Sequence, residues 1–546
     1  MKRTAASMFI VIGLIANATV GIGQPFPSSG SPNPAMIGTP AASPAAKATA
    51  KVAQTPAGSP PPAAQLPPGS APRAVTIARA TAIPKCTLFV DAAFDGGDGT
   101  VQRPHKTIAT AVAAAKDGAV ICVAEGSYAE QIKPGEKSFI LAGGFQRGKD
   151  FKVRDSAAYV SRARGNGGSF IRIEDPGPKG NQLTAIDGFD ISGYAQAIFR
   201  DVYYSQRFEI TNNHIHNNRC ANNELAGAGF ALNNVTGTIE GNVIRNNSCG
   251  RGGAGFLNDT AQESTVRIER NWVDGNAGTE PDASHGGGLY LFGKTLRING
   301  NRFTRNTVTQ WGGGLYIGAW TEGKKFTTAN LNWNVYRNNR AGNGGGGMFC
   351  DDGATCNSYH EVYDRNCGGN ILLDSGSGSA ATTARFDHLT NVGAREVGCK
   401  GPGPGVRIDR GDAAPDNYSF IDALFWDNAP GTDFVATCDQ QCGNVRINVS
   451  HSMVQTKYLN QGLKINFGDG IMAPVDPLFA DPANGDFHLK SKAGRWTPTG
   501  RVQDPVTSPA LGKGYSSGKA PDNPPRAGSQ IELGAYGNSD EASYVQ

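Results

Sequence analysis

The sequence predicts an all-β fold, a right-handed parallel β-helix (a solenoid) with an N-terminal capping helix, and three observations carry that reading. First, an apolar residue followed three positions later by asparagine returns six times: Ile215–Asn218, Ile244–Asn247, Val273–Asn276, Phe303–Asn306, Tyr336–Asn339 and Tyr363–Asn366. Those asparagines stand 29, 29, 30, 33 and 27 residues apart, and a period of this size marks a solenoid. Second, Gly-rich turns lead into apolar strands between them: AGAGFAL (226–232), GGAGFLN (252–258), GGGLYLF (286–292), GGGLYIG (312–318) and GGGMFCD (345–351). Third, the apolar runs are short and alternate, which suits strands rather than helix pairs.

About thirty residues at roughly 3.3 Å each give a path of about 100 Å, enough for three short strands and three turns. Asparagine suits a corner because it tolerates a left-handed backbone and can bond the amide of the next coil. Glycine meets the same conformational need without a Cβ.

The alternating GGG-Leu/Met and Phe-x-x-Asn units resemble the passenger repeats of polymorphic membrane proteins and, more broadly, the pectate-lyase-like β-helix superfamily. The segments DAAFDGGDGT (91–100) and RPHKTIATAVAAAKDGAVICVAEGSYAE (103–130) resemble the N-terminal opening of secreted bacterial β-helix proteins. DPLFADPANGDFHLKSKAGRW (476–496), TSPALGKG (507–514) and IELGAYGN (531–538) resemble their closing coil and tail. This likeness spans roughly residues 86–540 and implies fold and export rather than an activity. Polymorphic membrane proteins end in an outer-membrane barrel, and no run of alternating strands follows residue 480 here.

Five segments follow along the chain. Residues 1–18 read as a signal peptide, with Lys2 and Arg3, the apolar run Met8–Ile15, and Ala16-Asn17-Ala18 as a small-residue cleavage site. That run is too short for a spanning helix, and no later stretch is apolar enough to replace it. Residues 19–80 are a Pro/Ala-rich linker. Residues 81–200 hold the cap and first coils, with a helix over Thr107–Lys116 whose Ile108, Val112 and Ala115 face the core. A plug of this kind covers the apolar core and strand edges of an open solenoid end. Residues 201–370 are the regular repeats, and 371–546 the later coils and C-terminal tail. Phe425–Asn428 adds one more apolar-x-x-Asn unit there.

The chain has 546 residues, 73 of them glycine, and a formal net charge of +4. So small a charge makes no case for nucleic acid, and neither RNP, helix-turn-helix nor zinc-finger spacing occurs. The ten cysteines agree with an oxidising compartment. Cys220 and Cys249 each follow a repeat asparagine by two residues, one coil apart, so stacked coils place them within disulfide range. Cys438 and Cys442 close a local turn, and Cys86 reaches Cys122 across the first coil. The pairing of Cys350, Cys356, Cys367 and Cys399 stays open, and zinc spacing fits none of them well.

In Gly-Leu-Tyr-Ile the first and third apolar residues face the core and the middle one faces out. Matching the five strands by their apolar letters gives an inward series Phe230, Phe256, Leu289, Leu315 and Met348. The outward series is Ala231, Leu257, Tyr290, Tyr316 and Phe349. At the coil spacing of about 4.8 Å the outward series forms an aromatic ladder. Either it stacks sugar rings as an exposed patch, or a loop or the C-terminal tail covers it.

The flanking turns bring polar groups to the same face: Glu280, Asp282, His285 and Trp311 before the strand, and Asp259, Lys294, Trp320, Glu322, Lys324, Asp351 and Asp352 after it. The expected function is therefore a secreted or cell-surface protein that binds carbohydrate or a surface partner through Tyr290, Trp311, Tyr316, Trp320 and Phe349. The alternative is a polysaccharide lyase or glycoside hydrolase in the same groove. A lyase needs a base and charge stabilisation, for which Lys294 or Lys324 and a calcium held by Asp351 and Asp352 are candidates. A hydrolase needs two carboxyls, for which Glu322 and Asp351 are candidates.

Three further groups read as structural. Asp91, Asp95 and Asp98 make a turn rather than a calcium loop. Arg407 and Asp409 form a salt bridge rather than a uronate clamp. His214 and His216 lack a third metal ligand, because the equivalent positions one coil on are Val243 and Arg245.

Overall fold

The computed structural model describes residues 80–175, 177, 180–259, 264–281, 284–319, 326–374, 380–409, 416–429, 433–436, 445–456, 463–515 and 531–545. Through them the chain winds a right-handed parallel β-helix with three long sheets of 14, 11 and 10 strands. The first sheet runs from Leu88–Val90 to Ile465–Phe467, the second from Gly126–Tyr128 to Leu424–Trp426, and the third from Ile171–Glu174 to Phe434–Ala436. Each inner strand pairs in parallel with its equivalents one coil before and one coil after. Like residues therefore stack in columns along the axis.

Those columns are the core. Ile210, Ile239, Ile268, Ile298 and Leu331 stack inside the first sheet. Ile215, Ile244, Val273, Phe303, Tyr336 and Tyr363 do so inside the second. All are buried. The rings of Phe303, Tyr336 and Tyr363 lie nearly parallel, with centroids 5.0 and 4.5 Å apart.

The repeat asparagines form the expected buried ladder. In each step the backbone N–H and the side-chain amide of one asparagine donate to Oδ1 of the next, as from Asn247 to Asn276 at 3.0 and 3.0 Å. The amide also donates to a core-strand carbonyl, here Ile215 O at 3.0 Å. Each buried amide group is thus paired. A second ladder, which the sequence reading missed, runs through Asn213, Asn242, Asn271, Asn301 and Asn334 at the corner between the first two sheets. Glu361 closes it, accepting from the backbone and side chain of Asn334 at 3.0 Å each.

One expectation needs correcting here. The left-handed conformation belongs to the residue before each ladder asparagine, such as Asn217, Asn246, Arg305 and Asn338 with φ of 52–55°. The ladder residue itself supplies only the hydrogen bonds.

Four disulfides are present among the described residues. Cys220–Cys249 and Cys86–Cys122 form as read from the sequence, with Cα atoms 4.8 and 5.7 Å apart. The four cysteines left open pair as Cys350–Cys356 and Cys367–Cys399. Cys438 and Cys442 lie outside the described residues. So do the leader and nearly all of the linker. No helix among the described residues is long and apolar enough to cross a membrane.

The cap is a helix, Ile108–Ala114, burying Ile108, Ala111 and Val112. Thr107 caps it, and the Glu130 carboxylate accepts from the Ile108 and Ala109 amides at 2.9 and 2.7 Å. A carboxylate at the open amides of a first turn is favourable. At the other end the tail folds back over the second sheet. Phe479, Phe487, Leu489, Leu533 and Tyr536 pack on Val335, Val362, Val392, Leu424 and Met453. Ala483 O receives the guanidinium groups of Arg337 and Arg365 at 2.5 and 3.2 Å.

Candidate functional site

The third sheet carries the aromatic column, but one coil is out of register with the sequence reading. Strand pairing sets Ala231, Phe256, Tyr290, Tyr316, Phe349 and Leu372 in the outward column. Leu257 joins Leu232 and Leu291 in the core instead. The true register mark is the left-handed glycine three residues before each inward position: Gly227, Gly252, Gly286, Gly312 and Gly345. In the second of these strands the inward position is Gly255, and the Phe230 ring fills its space. A Cβ there would lie 2.1 Å from that ring.

The column is also covered. Phe256, Tyr290, Tyr316 and Phe349 are between 2% and 7% exposed and form one cluster with Phe292 and Leu372. The His285 ring lies 5.4 and 4.9 Å from those of Tyr290 and Tyr316. Trp311 packs on Phe349 at 5.8 Å. The described residues of the tail pack on the second sheet instead. Buried rings cannot serve as a stacking platform, so Tyr290, Tyr316 and Phe349 are corrected to core packing of a second layer.

Around that layer the predicted polar groups scatter. The Tyr316 hydroxyl donates to Asp351 at 2.6 Å and stands 3.4 Å from Asp352. Burial, then the charge of Asp352, pushes Asp351 up, and burial raises Asp352 to about 6. No third carboxylate, histidine or cysteine among the described residues joins this pair in a metal-binding group. Lys294 is exposed, and its backbone amide lies 3.3 Å from the Asp259 carboxylate. Glu280 is bound by Arg251 at 2.7 and 3.2 Å. Trp320, Glu322, Lys324 and Asp282 lie outside the described residues. Asp98 accepts from the Thr100 amide and hydroxyl at 3.1 and 2.8 Å, the turn expected of it. Arg407 bonds Asp409 at 2.8 Å.

The open polar face is on the second sheet, upstream of the tail. Its two outward columns read, coil by coil, Arg162 and Arg164, Asp190 and Ser192, His214 and His216, Val243 and Arg245, Trp272 and Asp274, then Arg302 and Thr304. Arg162, Arg245 and Arg302 have no carboxylate within 4.0 Å among the described residues. The Trp272 ring is half-buried and fixed by its indole N–H, which donates to Thr304 Oγ1 at 2.9 Å. Burial, then the neighbouring Arg337, lowers the pKa of Arg302.

At one end of this face sits a triad. His214 Nδ1 is 2.9 Å from Asp190 Oδ2, and His216 Nε2 is 3.3 Å from Asp190 Oδ1. The two imidazoles stack 4.1 Å apart at 20°, and Arg164 also bonds Asp190 Oδ1. Burial opposes ionisation of Asp190, but the hydrogen bonds from His214, His216 and Arg164 outweigh it and hold the carboxyl well below its usual range. Burial lowers His214 despite its Asp190 bond. The sequence reading looked for a third polar group one coil on; Asp190 stands beside both rings one coil before.

Comparison with known proteins agrees with the fold. Residues 179–331 match the family model for a right-handed beta helix region. Residues 93–142 match a family of unknown function, DUF1565, and 466–514 match a family described as disaggregatase related. The chain folds as a right-handed parallel β-helix. A pectin methylesterase from Aspergillus niger is 12% identical over 65% of this chain and 89% of its own, with a TM-score of 0.22. A score that low bears on neither fold nor activity. No curated protein matches the chain.

Proposed function

We propose that the protein is exported and binds an acidic polysaccharide along the open half of its second sheet. The observation that carries this is the set of guanidinium groups on one strip, Arg162, Arg245 and Arg302, that have no carboxylate within 4.0 Å among the described residues, with Trp272 between the last two. Arg245 and Arg302 are half-buried, a half-buried cation without a close carboxylate is unfavourable, and a bound polyanion would relieve it; Arg162 is exposed and adds charge alone. Stacked coils repeat side chains every ~4.8 Å, so an extended chain of uronates meets cations along its length. The Trp272 ring adds an apolar face for one sugar. Four disulfides support an oxidising location, in keeping with the signal-like N-terminus.

The test is retention of the full chain on polygalacturonate and alginate against a neutral glucan. Retention on the acidic polymers should fall with salt and weaken about tenfold for Arg245→Ala. Equal retention on the neutral glucan would sink the proposal. Following unsaturated products and reducing ends in the same incubations reads out the lyase and hydrolase alternatives.

A further inference from the structure

We propose that Asp190, His214 and His216 form a three-ligand site for a divalent first-row transition-metal ion of the zinc class, with a coordination position left facing solvent. Among the described residues this is the one group whose three ligand atoms lie within 4.8 Å of one another. The spacing has the right size. Ligands about 2.0–2.1 Å from a tetrahedral ion stand roughly 3.3 Å from each other; His214 Nδ1 lies 2.9 Å from Asp190 Oδ2, and all three ligand atoms lie within 4.8 Å of one another.

The fold enforces the arrangement. His214 and His216 alternate with core-facing Ile215, so both rings leave the same face of one strand. Asp190 pairs directly with His214 in the preceding coil. Two imidazoles and a carboxylate suit zinc, cobalt or iron rather than calcium.

The surroundings resemble the outer partners a metal ligand needs. Arg164 bonds Asp190 Oδ1 and donates to Ser192 Oγ at 2.9 Å, which leaves Oδ2 for an ion. The Asn217 side-chain amide lies 3.0 Å from His216 Nδ1. With its oxygen turned to that nitrogen, Asn217 accepts the Nδ1 proton and leaves Nε2 free to ligate. A carboxylate shared by two stacked rings also satisfies hydrogen bonding alone, and metal titration separates the two accounts. Nothing in this assignment depends on polysaccharide binding.

The experiment uses the full chain with disulfides intact, stripped with EDTA, then titrated with zinc by calorimetry and with cobalt by visible absorption. The expected result is one ion per chain, with cobalt ligand-field bands of a low-coordinate nitrogen and oxygen site. His214→Ala and His216→Ala should each weaken binding about 100-fold, while Arg385→Ala, an exposed change on the first sheet, leaves it unchanged. Circular dichroism melts of the metal-free variants check that the coils remain folded. The conservative His216→Gln supplies a second reading should the alanine variant unfold. Unchanged affinity in the folded histidine variants would overturn the assignment. So would a sulfur-to-cobalt charge-transfer band, which would place the ion on Cys438 and Cys442, or a cobalt spectrum of the hydrated ion only.

Discussion

The outer face of the second sheet divides into two halves that differ in every property except backbone. Upstream, the outward columns hold Arg162, Arg164, Asp190, His214, His216, Arg245, Trp272 and Arg302, and the face is open. Downstream they turn to Val335, Val362, Val392 and Leu424, and the tail seals them. Three of the upstream arginines differ as well. Arg337 and Arg365 of the covered half both bond Asp364 at 2.8 Å, whereas Arg162, Arg245 and Arg302 have no carboxylate partner among the described residues. One strand geometry thus serves as core or as surface, according to which side chains the columns carry.

The sharpest way to break this contrast is a charge in the sealed half. Val362→Arg buries a cation under the tail, and the expected loss is about 3–5 kcal/mol, read by denaturant unfolding and by faster proteolysis of the tail. Arg245→Val in the open half should change stability by no more than about 0.5 kcal/mol.

Next in size is the carboxyl beneath the sealed half. Burial pushes Glu361 up to about 8 from 4.5. Below pH 4.5 both folded and unfolded chains hold its proton. As pH climbs toward 8 the unfolded chain ionises first, so stability falls across that window and levels above it. Glu361→Gln keeps an oxygen for Asn334 and should flatten that slope, gaining up to about 4 kcal/mol at pH 8. Melts at pH 4.5 and pH 8 check it.

Smaller still is Trp272→Phe, which loses the bond to Thr304. It should cost about 1 kcal/mol or less and weaken acidic-polysaccharide retention a few-fold, measured by affinity electrophoresis.

Periodicity made most of the fold legible. The spacing of Asn218 to Asn366 fixed coil length, and Cys220 and Cys249 followed from it. The register of Phe256 did not, because apolar letters were aligned where the left-handed glycines keep the count. The second ladder went unread although it carries the same mark, with Ile210, Ile239, Ile268, Ile298 and Leu331 three residues before Asn213, Asn242, Asn271, Asn301 and Asn334. For the site, alternation correctly sent Tyr290 and Tyr316 outward, but alternation says nothing about what lies over a face. Asp190 escaped because a neighbour one coil earlier can be found only by counting backward through an irregular coil.

The two asparagine ladders have a further consequence. Their steps are identical, 29, 29, 30, 33 and 27 residues in both. The stretch joining them therefore keeps one length in each coil, and every gain or loss of residues falls on the turns either side of the third sheet. The molecule has a ruled edge and an editable one. Segments can be grafted or trimmed at the editable edge while the strip bearing Arg245, Trp272 and the histidines keeps its pitch, so new loops can be added beside a face whose spacing never has to be set again.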